Sequence, residues 1–466
     1  MSIDHDKLNK VLEGWPFKLN SGQLDFIREY ISSDGHFTLI GEAGTGKSAV
    51  ISVLKAYYED EMIVCAATGV ANQNLLDGKG GVGTAHRALS LPFHMNDPKA
   101  MSKVGRACTE LFSNSSLIKH IIVDEFFMLN PEHLEAMLKR VTRFNKKTQS
   151  RQRRNIRIMA AGDPLQVPPV VSDRDRKYLS EVYGSHLIFN STSWIKFNPK
   201  VRILTEVMRQ NDKVFKAALN VLRYGEEHRY DGVLAWLNKR VVSNYNRNMF
   251  TVATYNKTVE QVNNRVLNAN TAIKRMFEAR IKGDFDLKDN NVEEAIVLCE
   301  GLECITTVNH PEGDYYNGSF CTITSVSDDG CYCHFPHNDS EIFVELHEYE
   351  QNEAYVELNV KQKDGTYKDV QKQRKVGTCT QIPLLQASAF SVHRSQGRTF
   401  SKEGVLDIGW GFKDDNDFGS ALLYVGLSRY TDINNIYLPR PLKRSNIKVC
   451  QESVKFYKKH LKVKEG

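Results

Sequence analysis

The segment Gly41-Glu42-Ala43-Gly44-Thr45-Gly46-Lys47-Ser48 fits the pattern G-x-x-x-x-G-K-[ST], a spacing suited to gripping a phosphate chain. Its glycines let backbone N–H groups curl round phosphate oxygens, and a helix opening at Lys47 adds the positive end of its dipole. Gly41, Ala43, Gly44, Thr45 and Gly46 form the cradle, Lys47 is placed to reach the β- and γ-phosphates, and Ser48 to hold Mg²⁺. A second constellation is Ile121-Ile122-Val123-Asp124-Glu125, an apolar run ending in two carboxylates. This is the Walker B arrangement, in which Asp124 binds Mg²⁺ and Glu125 polarises the attacking water. Gln166, within Gly162-Asp163-Pro164-Leu165-Gln166-Val167-Pro168-Pro169, has an amide suited to sensing a γ-phosphate, and the paired prolines stiffen the backbone beyond it. Gln23 carries a donor beside an acceptor, which matches the edge of adenine, although a lone glutamine is more often plain surface.

These residues need strands and helices to position them. Phe37 to Ile40 reads as a strand entering the loop, and Val50, Ile51, Val53 and Leu54 give the stripe of a helix leaving it. Leu24, Ile27 and Ile31 mark an earlier helix. Met62 to Ala67 reads as a buried strand ending at Thr68-Gly69, followed by a Gly-rich turn, Gly78 to Gly83, and by Thr84-Ala85-His86-Arg87. Ile156 to Ala160 is the strand before Gln166. A second α/β unit opens near Lys200, with strands at Met249–Ala253, Gly404–Asp407 and Asn435–Leu438 and helices at Val214–Leu222 and Leu422–Arg429. Between its two parts, about His310 to Gln381, short β-branched or alternating runs lie between Asp, Gly and Asn turns, the texture of an all-β insertion that closes as a barrel.

The 466 residues suffice for several cores, and a net charge of +6 suits a polyanionic partner without requiring one. Nine cysteines without a disulfide-like framework predict a reducing, intracellular compartment. The polar start, Met1 to Asp6, is no secretory signal, and no apolar run is long enough for a membrane span. Cys331, Cys333, His334 and His337 match no usual zinc spacing. The basic run Lys146 to Arg154 reads as a solvated connection, and Lys455 to Lys464 as a solvated basic helix.

The order of these motifs from Leu19 to Leu438 resembles that of superfamily-one (1B) DNA helicases of the RecD-like group, in particular the Pif-type family and the phage Dda-type helicases. The resemblance rests on GEAGTGKS at Gly41, AATGVAN at Ala66, GTAHRAL at Gly83, VDEFFML at Val123, GDPLQVPPV at Gly162, LTEVMRQ at Leu204, SAFSVHRSQGRTF at Ser388 and YVGLSRYT at Tyr424. It implies an α/β chain of two RecA-like P-loop motor domains, with ATP and Mg²⁺ between them, single-stranded DNA across their tops, and an SH3-like insertion in the second. The implied boundaries are 1–200 for the first motor domain, 201–309 and 382–450 for the second, 310–381 for the insertion and 451–466 for a basic tail. A small wedge subdomain would occupy about 91–116, with Phe93 at its tip. By position, Arg209 and Arg429 are the implied arginine fingers, and Gln396 and Gly397 join the nucleotide contacts. Thr68, His86, Asn256 and His393 are the implied strand contacts. One departure stands out, since Phe127, preceded by Phe126, occupies a position where the family carries serine. A polar link between hydrolysis and the strand is then absent or supplied elsewhere.

The expectation is an ATP-dependent DNA helicase moving 5′-to-3′ in replication, recombination or repair. Its expected partners are single-stranded and forked or tailed duplex DNA, with a single-stranded-DNA-binding protein or replisome components as candidate protein partners, and it is expected to act as a monomer. An ATP-regulated clamp that does not separate strands is the alternative. A nucleotide kinase is disfavoured by the second motor-like half and by Glu125.

Overall fold

The computed structural model describes residues 3–461 other than 17, 74, 76–81, 93, 94, 113–116, 147–154, 170, 208–211, 247, 248, 291, 337, 363–365, 397 and 413–418. Five strands, β1 (Phe37–Gly41), β2 (Met62–Ala66), β3 (His120–Asp124), β4 (Arg157–Gly162) and β5 (Lys200–Leu204), form one sheet in the order β2-β3-β4-β1-β5. All pairings are parallel, with Ala66 beside Asp124, Ile40 beside Gly162 and Gly41 beside Leu204. β1 to β4 are buried along their whole length. That explains why they read as unbroken apolar runs, since helices cover both faces of a parallel sheet. The register brings the loops after β1, β2, β3 and β4 to one carboxyl edge, where α/β sheets bind ligands.

A second parallel sheet follows, with β6 (Thr251–Ala253) between Ala389–Ser391 and Gly404–Asp407, and Ile436–Tyr437 at its edge. The chain is an α/β fold of two RecA-like domains. Helix Lys213–Tyr224 belongs to the second, since Phe215, Leu219 and Leu222 pack in one core with Leu234, Val252, Phe390 and Leu423.

Strands Glu303–Thr306, Phe320–Val326, Gly330–Phe335, Ser340–Glu345 and Leu384–Gln386 make an antiparallel five-stranded sheet. Cys331 and Cys333 point inward and are fully buried while Tyr332 between them is exposed, the alternation of an ordinary strand. The described residues contain no group of three or more His, Cys, Asp or Glu arranged to hold a metal ion, and His337 lies outside them. A long hairpin, His347–Lys361 with Tyr367–Gln381, pairs with Arg280–Gly283. It leans back on the first domain: Ala354 and Val356 enter that domain's core, and Arg374 bonds Glu353 (2.9 Å) and pairs with Glu110. Arg87 of the first domain meets Asp284 at 3.0 Å and Glu353 at 3.4 Å. Glu110 lies on helix Arg106–Phe112, within the stretch read as a wedge, whereas Phe93 lies outside the described residues, as does most of the basic run 146–154.

The C-terminal helix Gln451–Leu461 corrects the sequence reading. It is docked rather than solvated, because Val454, Phe456 and Tyr457 are buried in the first domain's core. Phe456 stacks on Phe189 at 4.6 Å and meets Trp194 at 5.4 Å and Phe127 at 6.3 Å. Its lysines stay outside on the opposite face, as an amphipathic helix requires. No described helix is long and apolar enough to cross a membrane. Phe456→Ala is expected to lower unfolding free energy by about 3 kcal/mol, read from urea denaturation, and an unchanged midpoint would contradict the docking.

Candidate nucleotide site and strand interface

The phosphate loop is held in shape by its own backbone and side chains. Gly44 and Gly46 have φ of +89° and +79°, the left-handed region that glycine enters without strain. At Gly46 a Cβ would also stand 2.1 Å from Gln23 Nε2. Thr45 Oγ1 donates to Glu42 O at 2.9 Å, and Lys47 Nζ donates to Gly41 O at 2.6 Å and Glu42 O at 3.3 Å. The ammonium is therefore folded over loop carbonyls at the mouth of the cradle.

Gln23 is almost fully buried. Its Oε1 accepts the Asn20 N–H at 2.9 Å in a capping box on helix Ser21–Ser32, and its Nε2 donates to Thr45 O at 3.0 Å. One amide thus joins the helix start to the loop, and its second N–H and second lone pair are what it has for a base.

Asp124 ends β3 and is buried. Its Oδ1 accepts the Glu125 N–H at 2.9 Å. Burial pushes its carboxyl up, against the pull of Lys47. Glu125 adopts φ +50°, ψ +36°, a left-handed conformation unusual for a non-glycine residue and one that clusters at working sites. Burial and the Asp124 charge push its carboxyl up to about 7, with Lys47 and Arg429 opposing. Two adjacent carboxyls that burial holds high are stabilised as anions by a divalent cation, and the exposed Ser48 hydroxyl with Asp124 is a hard oxygen donor set of the kind Mg²⁺ takes.

Gln166 is buried and its Nε2 donates to Asp163 Oδ2 at 3.3 Å. Its Oε1 faces Gln396 Nε2 of the second domain at 3.5 Å. Arg429, on the buried end of helix Leu422–Ser428, donates from Nε to Val425 O at 3.1 Å and from Nη2 to Ser428 Oγ at 2.9 Å. Lys47, Asp124, Glu125, Gln166, Gln396 and Arg429 thus converge between the two sheets, whereas Arg209 and Gly397 lie outside the described residues.

The strand-contact candidates fall into two pairs. Thr68 and His86 follow β2, and the backbone of Lys288 and Asp289 presses against Gly69, where a Cβ would meet Asp289 O at 2.4 Å. Thr84 Oγ1 reaches Asp289 Oδ1 at 3.3 Å. Asn256 and His393 follow β6 and its neighbour, whose Ser391 is in register with Ala253. An open groove of about 820 Å³, lined by Asn256, Asn263, Lys288, Ser391 and Arg394 among others, runs past Asn256, and His393 is not among its lining residues.

Phe127 does not link hydrolysis to the strand. It fills an aromatic cluster with Phe126, Phe189 and Trp194. A polar chain runs nearby instead. The Asn130 N–H donates to His133 Nδ1 at 3.3 Å, so Nε2 carries that ring's proton and donates to Pro92 O at 3.2 Å, with His86 Nε2 at 3.4 Å. Burial lowers the pKa of both rings. The sequence offered only a histidine eight residues after Glu125 as a sign of this. It also gave no reason to single out Arg223, which crosses the cleft to Asp163.

Residues 19–223 match the sequence profile described as PIF1-like helicase. The ATP-dependent DNA helicase Pif1 of Campylobacter jejuni is 25% identical over 94% of this chain and 97% of its own length. The chain is thus similar to Pif1 helicases along nearly its whole length. The zebrafish (Danio rerio) ATP-dependent DNA helicase PIF1 is 26% identical over 56% of this chain, and the match spans 39% of that longer protein. Among solved structures, Bacteroides Pif1 in complex with ADP-AlF4 superposes with a TM-score of 0.78, at 22% identity, over 96% of this chain and 98% of that one. Bacteroides Pif1 bound to ssDNA gives 0.65 over the same shares, again at 22% identity. The Pif1-like fold accounts for both parallel sheets. At the Pif1-like phosphate loop, Gly46→Ala is expected to weaken nucleotide binding at least about tenfold, since it adds both φ strain and a clash with Gln23. Titration with a fluorescent ATP analogue reads this out, and unchanged affinity would contradict the assigned loop.

Proposed function

We propose that this chain is an ATP-dependent DNA helicase that translocates 5′-to-3′ on single-stranded DNA. What carries the reading is the convergence of the phosphate loop, the paired carboxylates and Gln166 with Gln396 and Arg429 from the opposite domain. Hydrolysis at such a seam is tied to the domains' relative position. Lys47 leaves its loop carbonyls for the β- and γ-phosphates, and Glu125, when ionised, orients and deprotonates the attacking water. Ser48 and Asp124 would hold Mg²⁺, which neutralises charge on the phosphates. Gln166 contacts the γ-phosphate and relays its presence to Gln396, while Arg429 and Arg209 stabilise the transferring group. Gln23 holds the loop and reads adenine.

In this reading residues 1–200 and 201–450 are the motors, with 310–381 inserted as an SH3-like unit whose base includes Glu303–Thr306 and Leu384–Gln386. The wedge occupies about 91–116. Thr68, His86, Asn256 and His393 hold the strand through its backbone, with little sequence preference. Replication, recombination and repair are the processes such a motor serves, and forked DNA is its substrate.

Unwinding of 5′- and 3′-tailed duplexes tests this directly. Displacement from the 5′ tail alone is expected, whereas ATP consumption without displacement from either would favour a clamp. Lys47→Ala is expected to reduce ATP turnover more than about a hundredfold while leaving single-strand affinity within about twofold, the split between chemistry and binding. The pH profile follows from Glu125. Protonation removes the base as pH falls through about 7, so kcat/KM for ATP should drop on the acid side near neutrality instead of near 4.5. A flat profile down to pH 5.5 would remove Glu125 from that role.

A further inference from the structure

Arg223 is among the largest fully buried side chains of the chain, on helix Lys213–Tyr224 of the second domain. Its guanidinium forks onto Asp163 of the first domain, Nη1 to Oδ2 at 2.5 Å and Nη2 to Oδ1 at 2.9 Å. Nη1 also donates to Tyr424 Oη at 2.8 Å. Nε has no hydrogen-bond partner and faces Glu42 Oε2 at 3.8 Å, while Tyr424 donates to the same Glu42 oxygen at 3.4 Å. Asp163 in turn accepts the Leu165 N–H at 3.0 Å and Gln166 Nε2 at 3.3 Å. Glu42 lies inside the phosphate loop, and its carbonyl accepts from Thr45 and Lys47. One side chain of the second domain therefore forks onto a carboxylate in one first-domain loop and forms a looser ion pair with a carboxylate in another. Those loops are the ones that flank the phosphate site.

A buried fork of this kind fixes direction as well as charge, because both carboxylate oxygens are met at once. The Asp163 carboxylate cannot rotate without losing the fork, and Gln166 hangs from it. We propose that Arg223 is a positioning residue for ATP hydrolysis, aligning Gln166 through Asp163 and the phosphate loop through Glu42 only while the second domain is docked. It touches no reacting atom itself. The inference rests on the nucleotide-site reading given above.

The test compares wild type, Arg223→Lys, Gln166→Ala, the double variant, Tyr424→Phe and Lys47→Ala in ATPase assays at saturating single-stranded DNA. Each rate is scaled to the folded fraction from thermal melting. Lysine keeps the charge and loses the fork, so Arg223→Lys should lower kcat about tenfold to a hundredfold through misplacement, with KM for ATP within about twofold. Its loss should not multiply with that of Gln166→Ala, since both act on one element. Tyr424→Phe, which removes one hydroxyl and no charge, should give a smaller fall in kcat of the same kind. A purely structural role predicts instead a lower melting temperature, unchanged kcat per folded molecule and multiplicative losses, and that result overturns the proposal. Wild-type turnover in Lys47→Ala would overturn the nucleotide-site reading itself. A dead Lys47→Ala beside an unaffected Arg223→Lys would overturn only the inference.

Discussion

Four carboxylates, Glu42, Asp124, Glu125 and Asp163, are gathered where two domains meet and water is scarce. Burial raises the carboxyls of Glu42, Asp124 and Glu125. Isolated buried charge is costly, so such a gathering persists only where cations and donors face it. Lys47 comes from the first domain, and Arg223 and Arg429 come from the second. For Arg223, burial works against the charge, and Asp163 together with Tyr424 and Glu42 outweighs it. The apposition of the domains is thus partly electrostatic, and much of the local backbone serves it. The parallel register delivers the acids to one edge, Gly44 and Gly46 let the loop turn beside them, and Glu125 accepts a left-handed backbone to aim its carboxyl.

The legibility of this arrangement in the sequence follows the range of the interactions. The phosphate loop and the Asp124-Glu125 pair were readable because their chemistry is set by neighbours a few residues apart, and the buried parallel strands because their apolar runs are continuous. Arg223 was not, since its partners lie 60 residues before it and 201 residues after it. The one local sign is a charge next to Leu222, on the helix side that Phe215 and Leu219 bury. The C-terminal helix was misread for the same reason. Lysines dominate Lys455 to Lys464, and the aromatic surface that Phe456 and Tyr457 seek comes from Phe127, Phe189 and Trp194, more than two hundred residues earlier. Phe127, in place of a small polar residue, is what makes that surface apolar. The local sequence marked the departure and could not show what it packs against.

The hairpin gives a contrasting kind of contact. Its hold on the first domain combines two apolar residues, Ala354 and Val356, with the charged pairs Arg87–Glu353 and Arg374–Glu110. Partly exposed pairs of this sort contribute little each and weaken with salt. The cleft is bound by buried, directional groups and the hairpin by adjustable ones, so one seam is stiff and the other yielding within the same chain.

The docked C-terminal helix has a mechanical consequence. The polypeptide passes from the first domain to the second after Leu204 and returns before Gln451, so two covalent straps join the bodies. An object tethered at two points swings about the line through them far more readily than it slides along its neighbour. Opening and closing of the cleft is then channelled into a pivot. In the motor proposed above, the distance gained along a strand would be the swing angle multiplied by the strand's offset from that axis, a length that depends on where the chain crosses between the bodies.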